Sequence, residues 1–217
     1  MDIKGRKLWQ HAAGDNNRNY ADLCLEWDVI VSGWGKHGHW NNEGKNKLLE
    51  KKKTKHISAS KITDIETFAN RISSGDIVVL RIGTTRILGV GEVVGNYEWC
   101  PSFGDVDGWD LQHVRRVRWL WKKGDLPSLD WSGSKLSWGA TTRALTNQFV
   151  ISWIRDKLDF DGQGLTRDVC KLPSVEDSRI SIEDLSGFLF VALIFIFNYL
   201  YKYKHLLKVF FLFFEVW

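Results

Sequence analysis

The clearest apolar pattern along the chain is a pair of β-branched runs joined by a polar turn. Residues 77–82 and 87–94 are rich in Ile, Val and Leu, and the segment 83–86 between them reads Gly-Thr-Thr-Arg. Two such runs with a short glycine-containing connection predict a β-hairpin. A third run, residues 114–120, alternates Val and Trp with Arg, as a half-buried strand does. The middle of the chain is therefore expected to form three consecutive strands, with the aromatic residues Tyr97, Trp99 and Trp109 on the loop before the third.

The flanking segments predict further strands and helices that surround this central unit. Thr63 followed by Glu66 matches a capping box, which would open a helix through Ile72. The other periodic segments predict strands over residues 7–13 and 28–35 and helices over 20–27, 45–56 and 146–158. This mixed order predicts an α+β domain over residues 1–158, with its core at 7–122.

The C-terminal part of the chain has a different composition. Residues 159–185 are polar and read as a linker, and residues 186–217 form a hydrophobic tail expected to be helical. A membrane-spanning helix needs about 20 apolar residues, whereas the main apolar run ends after 15, at Tyr201. Three interpretations stay open. The tail is a membrane anchor with contact through 188–214, a segment covered by a partner or the membrane interface, or the end of a truncated reading frame.

Tryptophan and cysteine usage refine the picture. Twelve of the 217 residues are Trp, far above ordinary usage. Some of these are expected in the core, and others are expected to offer ligand-facing rings.

The cysteines, Cys24, Cys100 and Cys170, have neither disulfide-framework nor zinc-site spacing. They favour a reducing, cytoplasmic location, with membrane association through the tail as the alternative.

The positive charge is concentrated in one segment. The chain carries a net charge of +4, and residues 44–56 hold six Lys against Glu50 alone. Such a run is either a solvated helical face or a surface that tracks phosphates. The phosphate-binding candidates are Lys45, Lys51, Lys52 and Lys53 in this run and Arg115, Arg116 and Arg118 in the third central strand.

Candidate catalytic or metal-binding residues are sparse. His37 and His39 form an H-x-H pair, and Asp105, Asp107 and Asp110 follow one another closely. A metal site needs three or four convergent ligands, and the spacing supplies no third ligand to the histidines. No phosphate loop or nucleophile motif is recognised. We therefore expect no enzyme and no cofactor, and a metal-dependent nuclease is the least favoured alternative.

Several short motifs, taken in order, resemble those of EVE domains, which belong to the PUA-like superfamily and are related to YTH domains. The resemblance covers residues 7–122 and is similar to the module at the N-terminus of McrB-type, modification-dependent restriction proteins. It is carried by residues 7–13, Gly33-Trp34-Gly35, 75–79, 87–93, Tyr97 and 117–120.

This resemblance implies a fold and a site. The fold would be a small twisted β-barrel flanked by helices, and the site would be an aromatic cage for a modified base. Trp34 would be one wall, and Trp99 or Trp109 the second. Polar residues after the first strand, Asp15 or Asn16, would meet the base edge. Tyr97 belongs to the same expected base-binding set.

The first hypothesis is accordingly a non-enzymatic reader of modified nucleic acid, DNA more than RNA, in prokaryotic restriction or defence. A nearby-encoded nuclease or motor is its expected partner. The alternative from a different class is a membrane-tethered module that senses a small ligand or a protein.

Overall fold

The computed structural model describes residues 5–54, 56–125, 136, 139–158 and 172. Six strands form one mixed sheet. They are β1 Leu8–Ala12, β2 Val29–Ser32, β3 Ile77–Ile82, β4 Arg86–Trp99, β5 His113–Lys122 and β6 Thr142–Ala144. Their order in the sheet is β2-β5-β4-β3-β1-β6. Strands β1 and β3 run parallel, and the other neighbouring pairs are antiparallel.

Helices lie between and after the strands. They are α1 Ala21–Glu26, α2 Asn42–Lys53, α3 Ala59–Glu66 and α4 Gln148–Leu158. A π-helical turn, Thr67–Arg71, continues α3, and short 3-10 helices occupy Gly35–His37 and Pro101–Phe103. This arrangement confirms the predicted α+β class and the central hairpin of β3 and β4.

The sheet is curled but open, which corrects the expectation of a small closed barrel. Among the described residues, β2 pairs only with β5, and β6 pairs only with β1. These edge strands have four and three residues, and no backbone ladder joins them among the described residues. A side chain spans the gap instead, because His11 lies 2.9 Å from Val31 O and 2.8 Å from Thr142 Oγ1.

Burial keeps this bridging histidine neutral. His11 is fully buried, and the loss of hydration lowers its pKa to about 3. The carbonyl of Val31 can only accept, so Nε2–H of His11 donates to it and Nδ1 accepts from the Thr142 hydroxyl. One neutral imidazole thus links the interior of the sheet to both of its edges.

Two glycines in β4 permit close packing within the sheet. A Cβ on Gly91 would lie 2.4 Å from Val117 Cγ1, and one on Gly89 would lie 3.0 Å from the Trp119 ring. Trp119 is almost completely buried, and its indole donates to Cys24 O. The Gly-x-Gly pair therefore serves close approach and not phosphate binding.

Two details of the local prediction are wrong. Helix α3 begins after Ser58, and Thr63 lies within it, where its hydroxyl donates to Ala59 O. The buried positions Ile62 and Ile65 explain the early start, since a helix that presents both must include the preceding turn. Tyr97 and Trp99 belong to the 14-residue strand β4 and not to a loop.

Apolar clusters fix the elements around the sheet. On one face, α4 packs its Val150, Ile151 and Ile154 with Leu8 and Ile77. A second cluster joins α2 to α3, with Trp34 and Tyr97 at its margin; its buried members are Trp40, Leu48, Ile57, Ile62, Ile65 and Ala69. This second cluster holds the end of β2 against α3.

The predicted linker 159–185, apart from Leu172, and the hydrophobic tail 186–217 lie outside the described residues, as does the proposed membrane contact at 188–214. Within the part of the chain that is described, no helix combines the length and apolarity needed to cross a bilayer.

Candidate functional site

A cleft of about 320 Å³ opens where β2 ends. Trp34 and Trp109 both line it, Trp34 from the turn after β2 and Trp109 from the connection before β5. Other residues that line it are Tyr20, Lys36, Lys61 and Asp64. Its volume is at the lower end of the range for small-ligand pockets, about 300–1,000 Å³. The cleft therefore brings together two of the three predicted Trp residues.

Trp34 is held in a strained backbone conformation. Its φ of 75° and ψ of 16° are left-handed, which costs an ordinary residue about 1–2 kcal/mol. The next residue, Gly35, lies close to the side chain of Gln112, which would have to move to admit a Cβ at this position. A hydrogen bond from Gly35 N to Asp110 O, at 3.4 Å, ties this turn to the opposite wall. Strain of this kind concentrates at functional sites.

The indole of Trp34 is half-buried and has cationic and aromatic neighbours. The His37 ring stacks on it, with centroids 5.8 Å apart and planes at 18°. Lys36 Nζ lies 5.9 Å from the ring centroid, within cation–π range. Burial, then the charges of Lys51 and Lys36, lower the pKa of His37. His37 is thus neutral near pH 7, and its Nδ1 accepts from Lys51 Nζ at 2.8 Å.

Trp109, the opposite wall, is also covered by a cation. The guanidinium carbon of Arg18 lies 4.4 Å from the Trp109 ring centroid. Its Nη2 donates to Asp107 O at 2.5 Å, which holds the guanidinium over the ring. Tyr20 meets Trp109 edge to face at 5.3 Å. The buried Trp109 N–H has no hydrogen-bond partner among the described residues.

A carboxyl group from α3 completes the cleft. Lys61 and Asp64 are three residues apart, so they share one face of the helix. Burial raises the pKa of Asp64, and the Lys61 charge and a hydrogen bond from the Thr141 backbone offset part of this shift. A half-buried carboxyl with a raised pKa can accept N–H groups of a ligand or, when protonated, donate to it.

Trp99 and Tyr97 lie on β4, outside the residues that line this cleft. Trp99 packs edge to face against His113 at 5.2 Å and against His39 at 6.1 Å. The Tyr97 hydroxyl accepts from Trp40 N at 3.0 Å and is hydrogen-bonded to His113 at 2.8 Å. Burial raises the pKa of Tyr97 to about 12. Both rings serve contacts within the protein in this structure.

Asp15 and Asn16 lie on the exposed turn after β1 and do not line the cleft. The Asp15 carboxylate accepts from the backbone N–H groups of Asn17 and Arg18, at 2.8 and 2.9 Å. These bonds lower the pKa of Asp15. They also fix the turn from which Arg18 reaches Trp109, so the contribution of Asp15 to the cleft is indirect.

The predicted phosphate-binding lysines lie on α2, beside a neighbouring groove lined by Lys36, His37 and Lys51. Lys53 pairs with Glu50 at 2.7 Å, and Lys51 donates to His37. Lys45 and Lys52 are exposed.

The arginines of β5 face acceptors within the protein. Arg115 is 3% exposed and donates to Phe68 O and Ala69 O in the π-helical turn, at 3.1 and 2.5 Å. Arg116 pairs with Glu98 at 2.9 Å, and Arg118 lies 3.6 Å from Glu92.

Sequence reasoning missed four residues that line the cleft, Tyr20, Lys36, Lys61 and Asp64, and also Arg18, which covers Trp109. One signal was present, since Lys36 follows Trp34 by two positions. The i,i+3 spacing of Lys61 and Asp64 was also visible, but the capping-box interpretation assigned this segment a different role.

The residues proposed for a nuclease do not assemble a metal site in the described part of the chain. There, no three His, Cys, Asp or Glu side chains come close enough to hold an ion. His39 instead stacks on Tyr97 with a centroid distance of 5.2 Å.

Comparison with known families identifies one match, a domain of unknown function (DUF8426), over residues 9–144. The chain belongs to this family. The DUF8426 region contains every residue that lines the cleft and stops before α4. A comparison with curated proteins finds no match.

Proposed function

We propose that this DUF8426 protein is a non-enzymatic reader of modified nucleic acid, and that its cleft holds one extruded, modified base. The observation that carries the proposal is that Trp34 and Trp109 line a single cleft of about 320 Å³. Two indoles and one phenol at its walls suit a flat, apolar-faced ligand. A nucleobase is such a ligand, and base-reading proteins stack bases on aromatic rings.

The energetics favour a base that carries an extra methyl or similar group. Stacking contributes about 1–3 kcal/mol per base, while extrusion from a duplex costs a few kcal/mol. Burial of an added methyl group strengthens binding by about 0.8 kcal/mol through the hydrophobic effect. Because each 1.4 kcal/mol is tenfold in affinity, shape and polar contacts together yield a preference of roughly tenfold to a hundredfold.

The cations at the cleft suit the phosphates on either side of the extruded base. Lys36 and Lys61 line the cleft, and Arg18 covers Trp109. In the free protein, Arg18 and Lys36 lie against the two indoles. An entering base takes these ring faces, and the displaced cations then pair with phosphates. Such contacts raise affinity without reading sequence.

Asp64 is the group proposed to read the edge of the base. Asp64 lines the cleft, and its carboxylate accepts one hydrogen bond from the backbone N–H of Thr141. A carboxylate can accept several hydrogen bonds, so it can also accept from a ligand. A base edge with an amino group can donate a hydrogen bond to the buried carboxylate of Asp64. A base edge that carries only acceptors cannot, and it pairs with Asp64 only when the carboxyl is protonated and can donate. Asp64 thus takes the role that the resemblance assigned to Asp15 or Asn16.

The EVE-like, PUA-like assignment and the setting in prokaryotic defence belong to the same proposal. The order of motifs over 7–122 supports it, as does the position of Trp34 at the end of β2. A reader without catalysis requires an effector, so a nuclease or motor encoded nearby is its proposed partner. The proposed location is the cytoplasm, where this nucleic acid is found.

The test is a binding screen of the full chain against matched single-stranded oligonucleotides, both DNA and RNA. The strands differ in one base, which is plain, N6-methylated adenine, 5-methylcytosine or 5-hydroxymethylcytosine. We expect at least one modified strand to bind about ten times more tightly than its plain counterpart. Trp34→Ala should reduce this ratio to near one while the melting transition stays cooperative. Equal binding of every strand by the unaltered protein would refute the proposal.

A further inference from the structure

We propose that a single strand of nucleic acid leaves the cleft along the seam between β6 and the helix formed by α3 and its π-helical turn. A second, arginine-lined groove at the far end of that seam binds the phosphates of the strand. This inference rests on the proposed function, and it assigns a binding surface to residues outside the cleft.

The two cavities lie at opposite ends of the same two elements. Lys61 and Thr141 line the cleft. Arg71, ten residues further along the helix, and Leu145, just after β6, line a groove of about 760 Å³. Four residues of extended chain span about 13 Å. A strand of a few nucleotides that lies along β6 can therefore reach both cavities.

The far groove is basic. Its charged lining residues are Arg6, Lys7, Arg71 and Arg155, and no Asp or Glu of the described residues lines it. Arg6 is already neutralised by Glu92 at 2.8 Å. Arg71 and Arg155 have no ion-pair partner in the described part of the chain, and Nε of Arg155 is buried without a hydrogen bond there. Two guanidinium groups thus remain to bind an anion.

The rest of the lining suits a polynucleotide. Leu8, Trp9 and Ile151 contribute apolar surface to the groove, and Gln148 contributes an amide. An arginine guanidinium binds a phosphate through two parallel hydrogen bonds, and several such cations on one surface can bind successive phosphates of a nucleic-acid backbone.

One carboxylate beside the groove, Asp76, is hydrogen-bonded within the protein. Asp76 accepts from Trp9 Nε1 at 2.8 Å and from Ser73 N at 2.9 Å. Lys61 in the cleft and Arg71 and Arg155 in the groove place cations at both ends of the seam, which suits a ligand with repeated phosphates.

The experiment measures the affinity of the full chain for a single-stranded oligonucleotide as a function of salt, with the modified and the plain base. The test variant is Arg71→Gln with Arg155→Gln. The matched control is Arg86→Gln with Lys123→Gln, which removes two exposed charges outside both cavities. Melting temperatures verify that both variants fold.

The test variant should lower the salt slope by about 1.4, since each lost phosphate contact on a single strand contributes about 0.7. At 0.1 M salt this corresponds to a loss of about 25-fold, equal for modified and plain strands. The control should keep the slope of the unaltered protein.

Three results would overturn the inference or separate it from the proposed function. An unchanged slope in the test variant removes the groove from the nucleic-acid surface, even if the base preference persists. A reduced slope without any base preference in the unaltered protein supports the groove and refutes the reader. If an acidic peptide binds with the same dependence on Arg71 and Arg155, and the oligonucleotide does not, the groove is a protein-docking surface.

Discussion

Two regions of this protein use tryptophan in opposite ways. In the sheet, Trp119 is 1% exposed, and its indole N–H donates to Cys24 O. Gly89 and Gly91 lie against its ring, where a Cβ would clash. In the cleft, Trp34 and Trp109 are half-buried and lie under the cations Lys36 and Arg18. In the sheet, glycines make room for the ring, whereas at Trp34 the backbone itself is strained and the ring stays half-buried.

If the proposed function holds, the contrast shows how a structural aromatic differs from a ligand-facing one. A core indole is recognised by complete burial and by small residues beneath it. A ligand-facing indole is recognised by a partly open face, removable neighbours and an unfavourable backbone that packing alone does not explain. Amino-acid type does not separate the two, because both regions are rich in Trp and Tyr.

The largest expected effect is on the core side of the comparison. Trp119→Ala should destabilise the protein by about 3–5 kcal/mol, because it empties a packed site over Gly89 and Gly91. Phe149→Ala is the matched control, since Phe149 is 78% exposed and should change stability by less than about 0.5 kcal/mol. Urea unfolding measures both. A small effect at Trp119 would mean that the sheet interior is not rigid.

The next effect concerns the histidine that bridges the sheet edges. His11 has a folded-state pKa of about 3, below its ordinary value of 6.5. The contribution of neutral His11 to the free energy of unfolding is therefore fully present above pH 6.5 and is lost as the pH falls toward 3. At about 1.4 kcal/mol per pKa unit, the shift from 6.5 to about 3 corresponds to a loss of at most about 5 kcal/mol.

His11→Gln removes this titration while keeping an amide that can donate to Val31 O. Its stability should fall less steeply between pH 6.5 and 3 than that of the unaltered protein. Part of the slope should remain, because burial also lowers the pKa of His113, to about 4. Urea unfolding at several pH values across this range measures both slopes. If stability depends on pH identically in His11→Gln and in the unaltered protein, His11 is not a buried neutral group.

A smaller effect tests the strained backbone at Trp34. Trp34→Gly and Trp34→Ala delete the same ring, but only glycine accepts the left-handed conformation without cost. The glycine variant should be the more stable by about 1 kcal/mol, and neither should keep the base preference. Equal stabilities in thermal unfolding would argue that the turn relaxes once the ring is removed.

Much of the fold followed from periodicity. The runs at 77–82 and 87–94 predict the hairpin because β-branched residues flank a glycine turn, and burial of every residue in β3 explains why that signal is strong. The contact that bridges the gap between β2 and β6 was beyond prediction, because it joins residues far apart in the sequence through one side chain, His11. The start of α3 was mistaken since a local motif at Thr63 matched a cap that the apolar spacing overrides.

The site was predictable only in part. Trp34 stood out through its flanking glycines, and the pair Trp99 and Trp109 left the second wall ambiguous. That ambiguity rests on the length of β4, which extends through Trp99 and turns its ring toward His113. Asp64 could not be assigned, because its place in the cleft depends on how α3 docks beside the end of β2.

The most direct test of the central claim compares Trp109→Ala with Trp99→Ala. Both variants delete a half-buried indole, but only Trp109 lines the cleft with Trp34. The measurement is the ratio of affinities for a modified and a plain oligonucleotide. We predict that Trp109→Ala brings this ratio to near one and that Trp99→Ala keeps the ratio of the unaltered protein. Loss of the preference in Trp99→Ala, with the preference kept in Trp109→Ala, would contradict the account.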